Sequence, residues 1–243
     1  MKLVINPFLL ALCLCPLAHA ATLVQADPAA GGITYFWTAT LGQAETVTTP
    51  NAAGVSLGAW SWEDQELFNP GEATRGWTHT SQWVAVELTQ ASTFTVTLAA
   101  NSQIPTATGG IVGSDQFFPS FSLYSGWDND AMPDAVAMLL EEPLGANDSH
   151  TYNNRGNIDW AEDLTYLGHM ENTTLNTVTA TWTLAAGKYS VILGSNAPST
   201  QSPPDQGYAA SFTTSAVPEP SSLGLTGAAL CGLILRRRRH HSL

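Results

Sequence analysis

The sequence predicts an all-β protein, an antiparallel β-sandwich of jelly-roll type, flanked by an apolar helix near each end of the chain. Three observations predict it. Short stretches in which apolar residues alternate with threonine recur through residues 21–216, and period-two alternation marks half-buried antiparallel strands. Stretches rich in Gly, Pro, Asn and Asp separate them, as turns require. The two longest apolar runs lie outside this region, one on each side.

In chain order, Lys2, the apolar stretch 3–17 and the triplet Ala18-His19-Ala20 read as a secretory signal peptide over 1–20, with the mature chain starting at Ala21. Cys13 and Cys15 lie inside it and Cys231 lies in the second apolar run, so residues 21–216 contain no cysteine. Export permits disulfides, but this region has none to form, and it has no thiolate nucleophile or thiolate metal ligand. It holds three basic residues, Arg75, Arg155 and Lys188, against nineteen carboxylates, a formal charge of −16. A nucleic-acid binder needs a basic footprint, so no nucleic-acid partner is expected. Solubility outside the cell and cation binding both suit such a charge. The length of 21–216 is enough for one domain with a sizeable core.

Strands are expected at 34–40, 83–88, 93–98, 120–124, 177–184, 189–193 and 208–212. In the second, Val84, Val86 and Leu88 share a face; in the third, Phe94, Val96 and Leu98 alternate with threonine; in the fourth, Phe121 and Leu123 coincide. The fifth puts Val178, Ala180, Trp182 and Leu184 inward and four threonines outward, with Trp182 expected to be buried opposite Phe94 or Phe121. Ala185-Ala186-Gly187-Lys188 reads as the turn of a hairpin joining 177–184 to 189–193. Loops are expected at 99–114 and 195–207, the latter bridging the last two strands. Short helices are expected at 134–142 and 159–169. Seven or more such strands argue a two-sheet sandwich.

Polar chemistry concentrates in two runs. Asp128, Asp130 and Asp134 follow a strand at Asp-x-Asp-x-x-x-Asp spacing, and hard cations take six to eight oxygens from such clusters, so Ca2+ is the expected cofactor. The sixth and twelfth positions counted from Asp128 are Pro133 and Leu139, where an EF-hand loop has Gly and Glu. The alternative is a solvated acidic loop. Residues 150–163 mix amides, carboxylates and aromatics. Asn153, Asn157, Asp159 and Trp160 suit sugar binding or completion of a calcium shell, and the alternative is a loop held by Asx-turns. Trp60, Trp62 and Trp77 flank Glu63, Asp64 and Glu66 and suit either a sugar-stacking face or a core.

No H-E-x-x-H, G-x-S-x-G, P-loop or G-x-G-x-x-G motif occurs, and His79, His150 and His169 are far apart in sequence. A non-enzyme is expected. The alternative is a polysaccharide-acting hydrolase using paired carboxylates.

The second apolar run completes an ordered segment, 217–243. It begins Val217-Pro218-Glu219-Pro220, continues through the 13 apolar-rich residues 223–235 and ends in Arg236, Arg237, Arg238 and Arg239. Prolines stop a regular element from entering. The run is shorter than the roughly 17 to 25 residues of most spans, but Ser221-Ser222 and the arginine stems extend it, so a transmembrane helix with a cytoplasmic basic stop is expected. This order resembles the PEP-CTERM sorting signal of Gram-negative bacteria. The resemblance implies an exosortase partner, a membrane-embedded cysteine protease that processes the tail. It also implies transient residence in the inner membrane and export with an extracellular-polysaccharide or biofilm programme. Phe121 to Asp130, Tyr152 to Ile158 and Ala185 to Gly194 are similar to ectodomains of PEP-CTERM proteins, a likeness that implies a fold rather than an activity. The expected protein is therefore exported to the cell surface or extracellular matrix, with a non-catalytic structural or binding role and extracellular polysaccharide as its partner.

Overall fold

The computed structural model describes residues 20–28, 33–58, 61, 81–112, 117–128, 161, 163–171, 174–196 and 206–217. The regular elements among them are all strands: β1 (Thr22–Val24), β2 (Tyr35–Leu41), β3 (Thr46–Thr48), β4 (Ser56–Leu57), β5 (Gln82–Leu88), β6 (Ser92–Ala100), β7 (Ile104–Pro105), β8 (Ile111–Val112), β9 (Phe118–Ser125), β10 (Thr165–Met170), β11 (Thr177–Leu184), β12 (Gly187–Asn196) and β13 (Gln206–Ala216). The seven strands expected from alternation are all present. The expected helix at 134–142, the signal segment 1–19 and the tail from Pro218 onward lie outside the described residues. Among the described residues, no helix is long and apolar enough to cross a membrane.

The strands form a six-stranded sheet, β1-β2-β5-β12-β9-β10, and a five-stranded sheet, β11-β6-β13-β3 with β4 also paired to β13. A small β7–β8 ribbon stands apart. One core lies between the two large sheets. The first contributes Trp37, Ala39, Leu41, Val84, Val86, Leu88, Phe121, Leu123, Val191 and Leu193, the second Phe94, Val96, Leu98, Tyr208, Ala210 and Phe212. Phe94 and Phe212 stack at 6.3 Å on neighbouring strands. Trp37 Nε1–H donates to the Tyr208 hydroxyl at 2.8 Å. That hydroxyl donates to Gln82 Oε1, and Gln82 Nε2 donates to the Ser56 carbonyl at 2.9 Å. This relay ties both sheets together and satisfies each polar group it buries.

Four expectations are corrected. First, β2 and β5 run parallel, so the six-stranded sheet is mixed rather than purely antiparallel. The parallel pair needs a long crossover, and the chain makes it by way of β3 and β4 in the other sheet. Second, β11 and β12 are no hairpin: Leu184 pairs with Ser92 in one sheet, whereas Gly187 pairs with Leu88 in the other. Ala185-Ala186 lacks the residues that adopt positive φ and tighten a two-residue hairpin, so it carries the chain across the sandwich. Third, the expected helix at 159–169 gives way to β10, whose Tyr166 packs edge-on against Tyr124 of β9 at 5.7 Å. Pairing with β9 outweighs a weak local helical pattern. Fourth, the expected loop 99–114 contains the end of β6 and the β7–β8 ribbon.

The faces of β11 are as expected. Trp182 turns inward, in register with Phe94 and edge-on to Phe121 at 6.1 Å, but it is half-buried because β11 is an edge strand. On the outer face of the same sheet, hydroxyls line up in rows across the strands. Thr97 and Thr179 are 3.0 Å apart, Thr95 and Thr181 2.9 Å, Thr46 and Thr213 3.0 Å, and Thr48 and Ser211 3.3 Å. Threonine suits such cross-strand pairs on a solvated face.

Candidate functional site

The central strands of the six-stranded sheet are buried on both faces. Along β5, Val84 and Val86 enter the main core, whereas Trp83 and Ala85 join a second apolar cluster with Ile33, Tyr35, Tyr124, Trp127, Ala161, Leu164 and Ile192. Tyr35 has the same parity as Trp37, Ala39 and Leu41, yet faces the opposite way. The β2–β5 register shifts between Tyr35 and Trp37, and one extra residue in a strand reverses the faces beyond it.

That reversal points the Tyr35 hydroxyl at the turn after β9. The Asp128 backbone N–H donates to the Tyr35 hydroxyl at 2.9 Å. Ser190 Oγ–H donates to the Gly126 carbonyl at 2.8 Å, so the 2.8 Å contact between Tyr35 Oη and Ser190 Oγ has tyrosine as donor. Asp128 Oδ2 accepts the Ile33 N–H at 2.9 Å, and Asp128 is fully buried. Trp127 Nε1–H donates to the Tyr189 carbonyl at 2.9 Å. The ammonium of Lys188 sits 4.3 Å from the Trp127 ring centroid, a cation–π contact. Gly126 lies against the Asp163 carbonyl, while Trp127, Ala161 and Leu164 share the second cluster. The turn therefore pins together the two ends of the segment 129–160.

Burial pushes the Tyr35 hydroxyl up from the ordinary 10.0 to about 12. The bonds to Ser190 and Asp128 oppose the rise, and the Asp128 charge adds to it. A raised tyrosine holds its proton in the folded state after the unfolded chain has lost it. The associated stability is complete below about pH 10 and is lost as pH rises toward 12, roughly 3 kcal/mol over that window. Tyr35→Phe should lower stability at pH 8 by about 1–3 kcal/mol, because the Asp128 N–H loses its acceptor. It should also shrink the decline between about pH 10 and 12. Tyr189 and Tyr208 are raised by burial too, so part of the decline persists. Urea unfolding across this pH range is the measurement.

Of the expected metal ligands, the described residues place Asp128; Asp130 and Asp134 lie outside them, as do Asn153, Asn157, Asp159 and Trp160. Among the described residues, no group of three His, Cys, Asp or Glu side chains is arranged to hold a metal ion.

A cluster that spacing alone did not reveal lies on β10. The Tyr166 hydroxyl bonds His169 Nδ1, and His169 Nε2 stands 3.9 Å from Glu171 Oε2. Residues three apart on a regular strand face opposite ways. The register shift between Tyr166 and Gly168 brings these two to one side, and period-two reading carries no signal for it. The phenol and the imidazole share a hydrogen bond, whereas the carboxylate stands at ion-pair rather than hydrogen-bond distance.

At the C-terminal end of the described residues, β13 runs to Ala216 in register with Ser92, and Val217 is the last described residue. Pro218, Glu219, Pro220 and Arg236 to Arg239 lie outside the described residues. The Gly126–Asp128 turn sits at the same end of the sandwich, because Ser125 pairs with Tyr189 beside the Gly187–Leu88 pair and residues 89–91 lead from Leu88 to Ser92.

Comparison with known proteins gives one family match and several distant structural likenesses. The chain is similar in structure to CorA, a surface-associated copper-binding protein of Methylomicrobium album BG8 (14% identity, 73% of this chain, 99% of that chain, TM-score 0.41). It is also similar to MopE, a secreted protein of Methylococcus capsulatus in which an oxidized tryptophan facilitates copper binding (11%, 81%, 94%, TM-score 0.36). A third likeness is to the pre-peptidase C-terminal domain of a Bacillus anthracis collagenase (9%, 73%, 93%, TM-score 0.28). At these identities and scores no residue role passes to this chain. No curated protein matches it. The family of the PEP-CTERM protein-sorting motif matches residues 216–239, the span from the last residue of β13 through Arg239. The chain thus carries a PEP-CTERM sorting signal, which implies exosortase processing and indicates export by way of the membrane to the cell surface.

Proposed function

We propose that this exported protein has a non-catalytic structural or binding role in the cell-surface or extracellular matrix, with exopolysaccharide as its partner in a biofilm. The observation that carries the reading is the sorting motif, which begins at the last residue of β13. The polar segment 129–160 leaves from and returns to the same end of the sandwich. A sorted chain would thus present its acidic and amide-rich run beside its attachment point.

Calcium is the proposed ion for Asp128, Asp130 and Asp134. The buried Asp128, with Oδ2 accepting the Ile33 N–H, suits the root of such a site. Asp130 and Asp134 would then supply oxygens, and Asn153, Asn157, Asp159 and Trp160 are the proposed contacts to sugar.

The test is co-sedimentation of the exported chain with native exopolysaccharide, in millimolar calcium and in chelator, with reducing ends assayed in parallel. Retention in calcium without depolymerisation is expected. The melting temperature should rise with calcium, equivalent to about 2.7 kcal/mol at a hundredfold excess over Kd. Asp130→Asn with Asp134→Asn should remove that response while leaving the Asp128 bonds intact. Depolymerisation abolished by a carboxylate-to-amide change would replace this reading with a hydrolase, and failure to co-sediment in calcium would remove the binding role.

A further inference from the structure

We infer that the outer edge of β11 is a self-association surface, on which a second copy of this chain adds its own β11 antiparallel around a two-fold axis. An unpaired strand edge is a template for another strand, and proteins blunt such edges by shortness, bulges, charge or proline. Among the described residues the two large sheets have four edges, and three of them are blunted. β1 and β3 have 3 residues each, and β10 is broken by a register shift. β11 is different: its 8 residues, Thr-Val-Thr-Ala-Thr-Trp-Thr-Leu, pair with β6 without a shift and contain no charge and no proline.

The surface beside this edge favours a second copy over an unrelated partner. Ala180, Trp182 and Leu184 turn toward the core but stay half-buried, leaving apolar area that an added strand would cover. The region 21–216 carries a formal charge of −16, so two copies repel wherever their acids meet. β11 and the hydroxyl rows next to it, Thr97 with Thr179 and Thr95 with Thr181, carry none. A two-fold centred on Ala180 sets Thr179 against the partner's Thr181, Thr177 against the partner's Thr183, and Val178 against the partner's Trp182. Threonine meets threonine on the outer face and apolar meets apolar on the inner one, as an isologous interface requires. The bonded threonine rows then run on across the dimer. Edge-to-edge addition of this kind draws affinity from main-chain bonds and specificity from the alternating side chains.

The experiment compares the full-length chain in mild detergent with two double variants, Thr179→Lys with Thr181→Lys and Thr179→Glu with Thr181→Glu, by light scattering and sedimentation over a dilution series. Both positions are exposed on the outer face, and each change sets like charges directly opposite across the axis. The unsubstituted chain should dimerise reversibly, and each variant alone should dissociate about tenfold or more readily. An equimolar mixture of the two variants should recover a one-to-one dimer, which also shows that both are folded. Three results overturn the inference. A chain that is monomeric at every concentration has that edge covered by its own segments or by solvent. A dimer unchanged in the lysine variant uses another face or the tail. Variants that stay monomeric in the mixture do not meet along β11.

Discussion

Gly126→Ala should destabilise the domain by about 2–5 kcal/mol, a large fraction of the stability of a domain this size. Gly126 has φ +97, a conformation that costs an L-residue roughly 1–2 kcal/mol. A Cβ there would also lie 2.0 Å from the Asp163 carbonyl oxygen. That oxygen is backbone, held where the returning chain packs Leu164 into the second cluster, so it cannot swing aside like a side-chain tip. Overpacking of this kind adds about 1–3 kcal/mol. Gly109→Ala separates the two causes, because Gly109 has φ +89 with nothing within 4 Å of its would-be Cβ. It should cost only the strain. Denaturant midpoints of the two variants measure the difference, and equal midpoints would mean that the Gly126–Asp163 approach is not tight. Loss of this turn should also release Asp128 and Tyr35, so the Gly126 variant should show a weaker stability decline above pH 10 than the parent.

Phe121→Ala should cost about 3–5 kcal/mol, in the range of buried aromatic truncations. Phe121 is fully buried in the main core, in register with Leu193 on one side and Met170 on the other, with Trp182 edge-on from the facing sheet. Its removal opens a void bounded by both sheets, which cannot close without moving strands paired along their whole length. Thr181→Ala, on the exposed face of the same region, gives up one cross-strand hydroxyl pair at 2.9 Å and should cost well under about 1 kcal/mol. Trp182→Ala should fall between them because its ring is half-buried. A urea titration that ranked Thr181→Ala level with Phe121→Ala would contradict the assignment of faces.

How far each strand could be read from the chain depended on how it is buried. β6 and β11 are covered on one face only, so Phe94, Val96 and Leu98, like Val178 and Trp182, alternate with threonine and declare their inner face. β9 and β12 are buried on both faces, so Phe121 and Tyr124, or Val191 and Ile192, enter different clusters, and the serines interleaved with them, Ser120, Ser122 and Ser190, are buried as fully as the apolar residues. β3, β4 and β10 are shorter or lie at edges, and pairing with β13 or β9 rather than composition makes them strands. The candidate site follows the same division. The acidic run beginning at Asp128 was visible as a cluster, but the Asp128 partners Tyr35 and Ile33 lie 93 and 95 positions away in sequence. Tyr166 and His169 were hidden because a register shift, which leaves no mark in the order of residues, sets them side by side.

By itself the sequence determined that the domain is built of strands, that it can form no disulfide, that it is strongly acidic, and that its last segment is a sorting signal. Each of these is a local or compositional property, set by side-chain alternation, residue counts or the order of a contiguous motif. Only the tertiary structure decided that β2 and β5 run parallel, that the chain crosses between sheets after β11 instead of turning back, and that Asp128 is an anchored, buried acceptor. Those outcomes depend on which distant strands pair and in what register. Pairing energy is shared across both partners and both faces of a strand, so it cannot be read from one stretch of chain.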